Sequence, residues 1–169
     1  MKKSNKFNCL AVIPARPGST RVKNKNFIKF FGKKMFEHTL DFAKKSNLFK
    51  DIVVSTNKES LKKYKIFQEY ARPISLCKNN TDLVDVVAHA LNFYEKKNKI
   101  KYDFICILWA TSPLRTQTDI INSFKKLKDN NVNGVVGVSE YYYYPGCATI
   151  INKNGFLKPL TSKLFWLSS

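Results

Sequence analysis

The 169 residues predict an α/β fold built on a doubly wound, mainly parallel sheet. Three observations predict it. Short apolar runs alternate with segments of helical period from residue 9 to about 139, the rhythm of successive strand and helix layers. Tyr102–Trp109 is a near-continuous apolar run, the pattern of a central parallel strand covered on both faces. Turn-forming residues separate the segments, with no internal repeat and no long linker, so one domain is expected over residues 1–169.

Each element has its own signal. Cys9–Ala15 reads as a buried strand that breaks at Pro14-Ala15-Arg16. Met35–Ser46 carries Phe36, Leu40 and Ala43 on one helical face. Asp51–Ser55 is a second strand. Lys58–Tyr70 fits a helical period only loosely, through Leu61, Tyr64, Ile66 and Phe67, and Pro73 ends it. Asn80 or Thr81 is expected to cap a helix running to about Lys97, with Leu83, Val87, Ala90, Leu91 and Tyr94 as its apolar stripe. Thr116-Gln117-Thr118-Asp119 has capping-box spacing and opens a helix with Ile120, Phe124 and Leu127 inward. Asn133–Val138 and Cys147–Ile151 read as further strands, the second followed by a turn at Asn152-Lys153-Asn154-Gly155.

Charge is the most uneven property of the chain. The net charge is +18, and residues 1–36 hold ten Lys/Arg with no acid before Glu37. Residues 37–140 hold seventeen basic and twelve acidic side chains, which is close to ordinary. The excess at the N-terminal end points to an anionic ligand, with nucleic acid as the rival reading. No aromatic RNA-binding motif or helix-turn-helix accompanies it. The four cysteines, Cys9, Cys77, Cys106 and Cys147, form no CxxC pair and read as reduced core thiols. No apolar run approaches a membrane span and the first strand is too short for a signal peptide's apolar core, so a cytoplasmic protein is expected.

The basic excess surrounds one loop. Ala11-Val12-Ile13-Pro14-Ala15-Arg16-Pro17-Gly18-Ser19-Thr20-Arg21-Val22-Lys23-Asn24-Lys25-Asn26 joins a strand end to a Gly/Ser loop without an acid. Such a loop turns its amides inward and supplies fixed positive charge, as a polyphosphate site requires. It matches neither GxGxxG nor GxxxxGK[ST], and a basic surface turn is the alternative on spacing alone. A second loop, Ala110–Thr116, leaves the central strand with Ser112 and Arg115 within reach of a ligand at the sheet edge. Ligands of doubly wound sheets bind outside the carboxyl ends of the strands, so the two loops are expected to converge. Asp82, Asp85 and His89 share a helix face, where a capping Asp and a hydrogen-bonded His outweigh a metal site, and Asp85 is expected to need a partner. Tyr141–Tyr144 reads as a strand-to-loop edge, with stacking on a ligand as the alternative.

Several segments together resemble the acylneuraminate cytidylyltransferases, the CMP-sialic acid synthetases. Ile13–Asn26 is similar to their signature, approximately I-P-A-R-G-G-S-x-R-x-x-x-K-N. Phe31-Gly32-Lys33-Lys34-Met35, Val53-Val54-Ser55-Thr56, Arg72-Pro73, Asp85-Val86-Val87-Ala88-His89-Ala90-Leu91 and Thr111-Ser112-Pro113-Leu114-Arg115-Thr116 resemble further family motifs in the same order. The resemblance covers about residues 8 to 160. It implies a fold of the nucleotide-diphospho-sugar transferase type. It also implies a Mg²⁺-dependent reaction in which a nonulosonic acid attacks the α-phosphate of CTP, giving a CMP-sugar and pyrophosphate. By the same resemblance Arg16 and Lys25 are the catalytic cations on the triphosphate. Ser19, Arg21, Asn26, Arg72 and Ser112 bind nucleotide, and Trp109 and Arg115 face the sugar substrate. A related class acts on 3-deoxy-manno-octulosonate; the T-S-P-L-R stretch favours the sialic-acid branch.

Departures from the family pattern are specific. Pro17 stands where a glycine is usual, removing one amide donor and fixing φ. Trp109 replaces a glutamine, and an indole cannot supply a primary amide's paired donor and acceptor. Asn57 and Asn79 replace aspartates. The resemblance implies a further sugar-binding and dimerisation segment ending in an Asp-x-Asp metal pair, which residues 1–169 lack. The metal ligands are therefore unassigned, and a homodimer would form without its usual segment. A shortened, catalytically impaired nucleotide binder is accordingly the alternative expectation.

Overall fold

The computed structural model describes residues 7–19, 22–129, 132–138, 149–151 and 157–159. The backbone gathers into two units, Met1–Gln117 and Thr118–Ser169. Within the first lie β1 (Phe7–Pro14), β2 (Lys29–Phe30), β3 (Lys33–Lys34), α1 (Met35–Ser46), β4 (Phe49–Ser55), α2 (Lys58–Lys63), a 3₁₀ turn (Ile74–Cys77), α3 (Leu83–Asn98) and β5 (Phe104–Ile107). Helix α4 (Gln117–Asp129) opens at the boundary. In the second unit β6 (Thr149–Ile151) pairs antiparallel with β7 (Leu157–Pro159).

The sheet of the first unit has the order β4-β1-β5, and both pairings are parallel. Val12 is the register point, lying opposite Val53 on one side and Ile107 on the other. Cys9 through Ile13 are completely buried, so β1 is covered on both faces, as its unbroken apolar run requires. Leu10, Val12 and Val53 join Tyr70, Val87, Ala90 and Tyr94 in one core cluster on the α3 side. Helix α1 packs on β1 and β4. It opens where the Glu37 carboxylate accepts from the Lys34 amide at 2.6 Å and from Lys34 Nζ at 2.9 Å. It ends at Asn47, whose φ of 52° is the left-handed conformation that asparagine tolerates.

The structure departs from the expectations in several places. The central strand is β1. The Tyr102–Trp109 run condenses to four paired residues at the edge of the described sheet, where Ile105 and Ile107 stay about two-fifths exposed. Helix α2 stops at Lys63, Lys65 turns left-handed at φ 53°, and Gln68 beyond it bonds to the β4 backbone. Its side-chain amide accepts from Val54 N at 3.1 Å and donates to Val54 O at 2.8 Å. Asp82, one residue beyond the expected cap, closes the start of α3 by accepting from Val84 N at 2.9 Å. Asp85 lies on the exposed face of α3, so it needs no buried partner. Residues 133–138 form no strand; Gly134 and Gly137 weaken that segment, and Val136 and Val138 are exposed. The Tyr141–Tyr144 run, Cys147 and the turn at Asn152–Gly155 lie outside the described residues.

Candidate functional site

A cavity of about 580 Å³ opens at the carboxyl ends of β1 and β5, the place where parallel sheets receive ligands. Among the described residues, four cationic ones, Arg16, Lys25, Arg72 and Lys78, line it with no carboxylate beside them. Ser19, Asn26, Thr81 and Thr111 add neutral polar groups, and Leu76, Leu83, Val86 and Trp109 add apolar surface.

The loop after β1 is held by its own short side chains. Ala15 N donates to Ser55 O at 2.9 Å and prolongs the strand pairing by one residue. Gly18 has φ of 76°, a region that costs a glycine nothing. Its amide donates to Asn24 Oδ1 at 3.3 Å, and Asn24 is itself left-handed at φ 52°. Ser19 Oγ donates to Val22 O at 2.7 Å and accepts from Lys25 N at 2.8 Å, which pins the loop across its waist. Asn26 is buried, donates from Nδ2 to Arg16 O at 3.0 Å, and receives the Phe36 amide on its carbonyl at 3.0 Å. Arg16 and Lys25 both line the cavity, and Arg16 Nη1 also donates to Pro17 O at 3.4 Å.

Arg72 supplies the opposite cation from a buried position. Only 3% of it is exposed. Its Nη2 donates to Ser55 O at 2.6 Å, its Nε to Ser55 Oγ at 3.0 Å, and its backbone amide to Thr56 O at 2.7 Å. Burial pulls its pKa below the usual guanidinium value, and the nearby Arg16 charge acts in the same direction. Among the described residues no carboxylate pairs with Arg16, Lys25, Arg72 or Lys78. Holding like charges together in a half-closed space is unfavourable until an anion enters.

The loop after β5 is clamped by Arg115. Its Nη2 donates to Trp109 O at 2.7 Å and its Nε to Ser112 O at 3.1 Å. Thr39 Oγ1 donates to the same Trp109 carbonyl at 3.3 Å. The Trp109 indole therefore stands on a fixed backbone at the cavity wall, half exposed.

Six of the nine residues expected from the sequence meet at this cavity: Arg16, Ser19, Lys25, Asn26, Arg72 and Trp109. Arg21 lies outside the described residues. Ser112 is exposed and Arg115 is turned onto its own loop, so neither reaches the cavity wall in this arrangement. Lys78, Thr81, Leu76 and Val86 were not expected there. The signal for Lys78 was the absence of any acid between Arg72 and Asp82. Asp82 caps α3, and His89 Nδ1 lies 3.2 Å from the Tyr70 hydroxyl, so both side chains have structural partners. Among the described residues no three His, Cys, Asp or Glu gather as a metal site. None of the helices among them is long and apolar enough to cross a membrane.

Comparison with known proteins gives the same direction. The family model described as cytidylyltransferase matches residues 10–156. A pseudaminic acid cytidylyltransferase of Campylobacter jejuni is 30% identical over 149 residues, which are 86% of this chain and 64% of that relative. An N-acylneuraminate cytidylyltransferase of Streptococcus agalactiae is 31% identical over 152 residues, 87% of this chain and 36% of that relative. The chain thus spans less than two thirds of the length of these relatives. A CMP:2-keto-3-deoxy-manno-octonic acid synthetase, solved with CTP, superposes with a TM-score of 0.53 at 21% identity, covering 73% of this chain and 48% of the other. That likeness supports the α/β fold of the nucleotide-sugar transferase type.

Proposed function

The chain belongs to the cytidylyltransferase family, and from that premise we propose that it transfers the cytidylyl group of CTP to a nonulosonic acid of the pseudaminic or sialic type in the cytoplasm. The observation that carries the proposal is the cavity wall: among the described residues it has four cationic ones, one of them buried, and no carboxylate. The acid's anomeric hydroxyl attacks the α-phosphorus, the bond to the β-phosphate breaks, pyrophosphate leaves, and the hydroxyl's proton passes to solvent. Such displacement asks a protein mainly for positioning and for neutralisation of charge. Arg16 and Lys25 neutralise the triphosphate, with Arg21 as a third cation of the same loop. Ser19 and Asn26 hold the loop in shape, and Arg72 faces the nucleotide from the other wall. Trp109 offers an indole face to the sugar. Arg115 acts on the same substrate indirectly, by holding the Trp109 and Ser112 carbonyls. Ser112 reaches base or ribose only through a shift of that loop.

Mg²⁺ would neutralise phosphate charge when bound. The described wall does not fit a protein-held Mg²⁺, since it offers no carboxylate; a divalent cation there would be held by nucleotide oxygens.

Pyrophosphate release, measured with CTP, Mg²⁺ and a panel of nonulosonic acids, tests the proposal alongside calorimetric CTP binding. Release with one or more acids is expected. Binding without release removes the activity and leaves a nucleotide binder. No binding, with Arg16→Ala indistinguishable from the parent, overturns the site.

A further inference from the structure

Arg72 is the end of a buried chain of polar groups that reaches across the core to α3. Its Nε–H donates to Ser55 Oγ at 3.0 Å. Ser55 Oγ lies 3.3 Å from the Tyr70 hydroxyl, and that hydroxyl lies 3.2 Å from His89 Nδ1. Ser55 and Tyr70 are completely buried. One ordering of hydrogens satisfies every member. Ser55, already accepting from Arg72, turns its own hydrogen to Tyr70, and Tyr70 turns its hydrogen to His89 Nδ1. Tyr70 is held independently: Gln68 Nε2 donates to its carbonyl at 2.7 Å while the same side chain spans Val54, and its ring lies against Phe93 and Tyr94. The hydroxyl is thus delivered to Ser55 by a rigid ring, and α3 supplies the last acceptor.

We infer that Tyr70 and His89 are positioning residues for the anion-binding site: through Ser55 they fix the Arg72 guanidinium in the orientation that faces the cavity. Neither residue lines the cavity. A long guanidinium left to itself would sample several rotamers, and each would have to be frozen when a ligand arrived. The buried chain removes that cost beforehand. A purely structural tyrosine would need only its ring. What singles out the hydroxyl is its place between Ser55 and His89, its two partners among the described residues. This inference rests on the reading of Arg72 as a nucleotide ligand.

Two measurements on the full chain separate the two ideas. In ¹⁵N spectra of the arginine side chains, the Arg72 Nε–H resonance is identified by its loss in Arg72→Lys. Its exchange with water should be slow in the parent protein and faster in Tyr70→Phe and His89→Leu. His89→Gln, which keeps an acceptor, should exchange more slowly than His89→Leu. In calorimetry, Tyr70→Phe should weaken CTP binding about fivefold, in keeping with one hydrogen bond of about 1 kcal/mol. In an Arg72→Ala background it should weaken binding no further. Unchanged exchange in Tyr70→Phe overturns the inference, as does an equal loss in both backgrounds. If neither the parent nor Arg72→Ala binds CTP, the functional reading fails and the exchange data alone judge the chain. If Tyr70→Phe does not fold, His89→Leu, at the less buried end, carries both measurements.

Discussion

Arg72 and Ser55 meet through two bonds at once, the guanidinium taking the serine's carbonyl at 2.6 Å and its hydroxyl at 3.0 Å. A single residue at the end of β4 thereby holds a buried cation for which the described structure provides no counter-charge. That arrangement is poor for stability and suited to binding. Arg72→Met keeps most of the volume and removes the buried charge. It should raise the thermal midpoint or leave it unchanged, while weakening CTP binding roughly tenfold to a hundredfold, the range of a charge-assisted hydrogen bond. Thermal unfolding and calorimetry on the same variant check both halves. A lowered midpoint with intact CTP binding would contradict the account.

Ser19 bridges Val22 O and Lys25 N with one hydroxyl. Ser19→Ala removes both bonds from a partly exposed loop. The global midpoint should hardly move, because little core is touched, whereas CTP affinity should fall several-fold as the loop loses about 1–2 kcal/mol of preorganisation. Comparing the calorimetric loss with the unfolding curve tells a local effect from a general one.

Gly18 occupies φ of 76° with open space around it. Gly18→Ala meets no steric neighbour, so its cost is backbone strain alone, about 1–2 kcal/mol for a left-handed alanine. Reduced CTP affinity and faster proteolysis within residues 16–26 are expected. Wild-type behaviour in both assays would show that the loop adopts another conformation in solution.

Leu10 lies completely buried in the central strand and belongs to the core cluster with Val53, Tyr70 and Val87. Leu10→Ala should cost about 2–5 kcal/mol in chemical denaturation, through lost transfer energy and the cavity left behind.

Glu37 supplies a pH dependence. Burial pushes its carboxyl up, but the Lys34 amide, ammonium and charge together outweigh burial and leave the pKa below the ordinary glutamate value. A carboxylate depressed in the folded state contributes stability that is fully present above its ordinary pKa. That contribution is lost as pH falls through the lower folded value. Glu37→Gln should remove its share of this acid limb of the stability profile and lower stability in the neutral range. An unchanged acid limb would assign the dependence to other carboxylates.

Much of the fold was legible because parallel strands and amphipathic helices carry their burial in the order of their residues. The Cys9–Ala15 run, the α1 stripe through Phe36 and Ala43, and the α3 stripe through Val87, Ala90 and Tyr94 all fold as their patterns indicate. The Gly/Ser loop closes on itself over short range, Gly18 N on Asn24 Oδ1, Ser19 Oγ between Val22 O and Lys25 N, and Asn26 Nδ2 on Arg16 O, so its shape is largely a local property. The strand at 102–109 and the helix at 58–70 were misjudged in extent for one reason. Their ends depend on partners distant in sequence, Val12 for the first and Val54 for the second.

What the amino-acid order determined by itself was a layered α/β chain with a basic Gly/Ser loop at the end of its first strand and an excess of positive charge beside it. Only tertiary structure decided how the cavity wall is assembled. It drew Arg72 into the core beneath Ser55, brought Lys78 and Thr81 to the same wall, and turned Arg115 away to hold Trp109. The physical reason is that a side chain's role follows from the groups that surround it. A buried guanidinium takes the orientation dictated by its hydrogen-bond acceptors, and those acceptors arrive from strands and helices that no local pattern encodes.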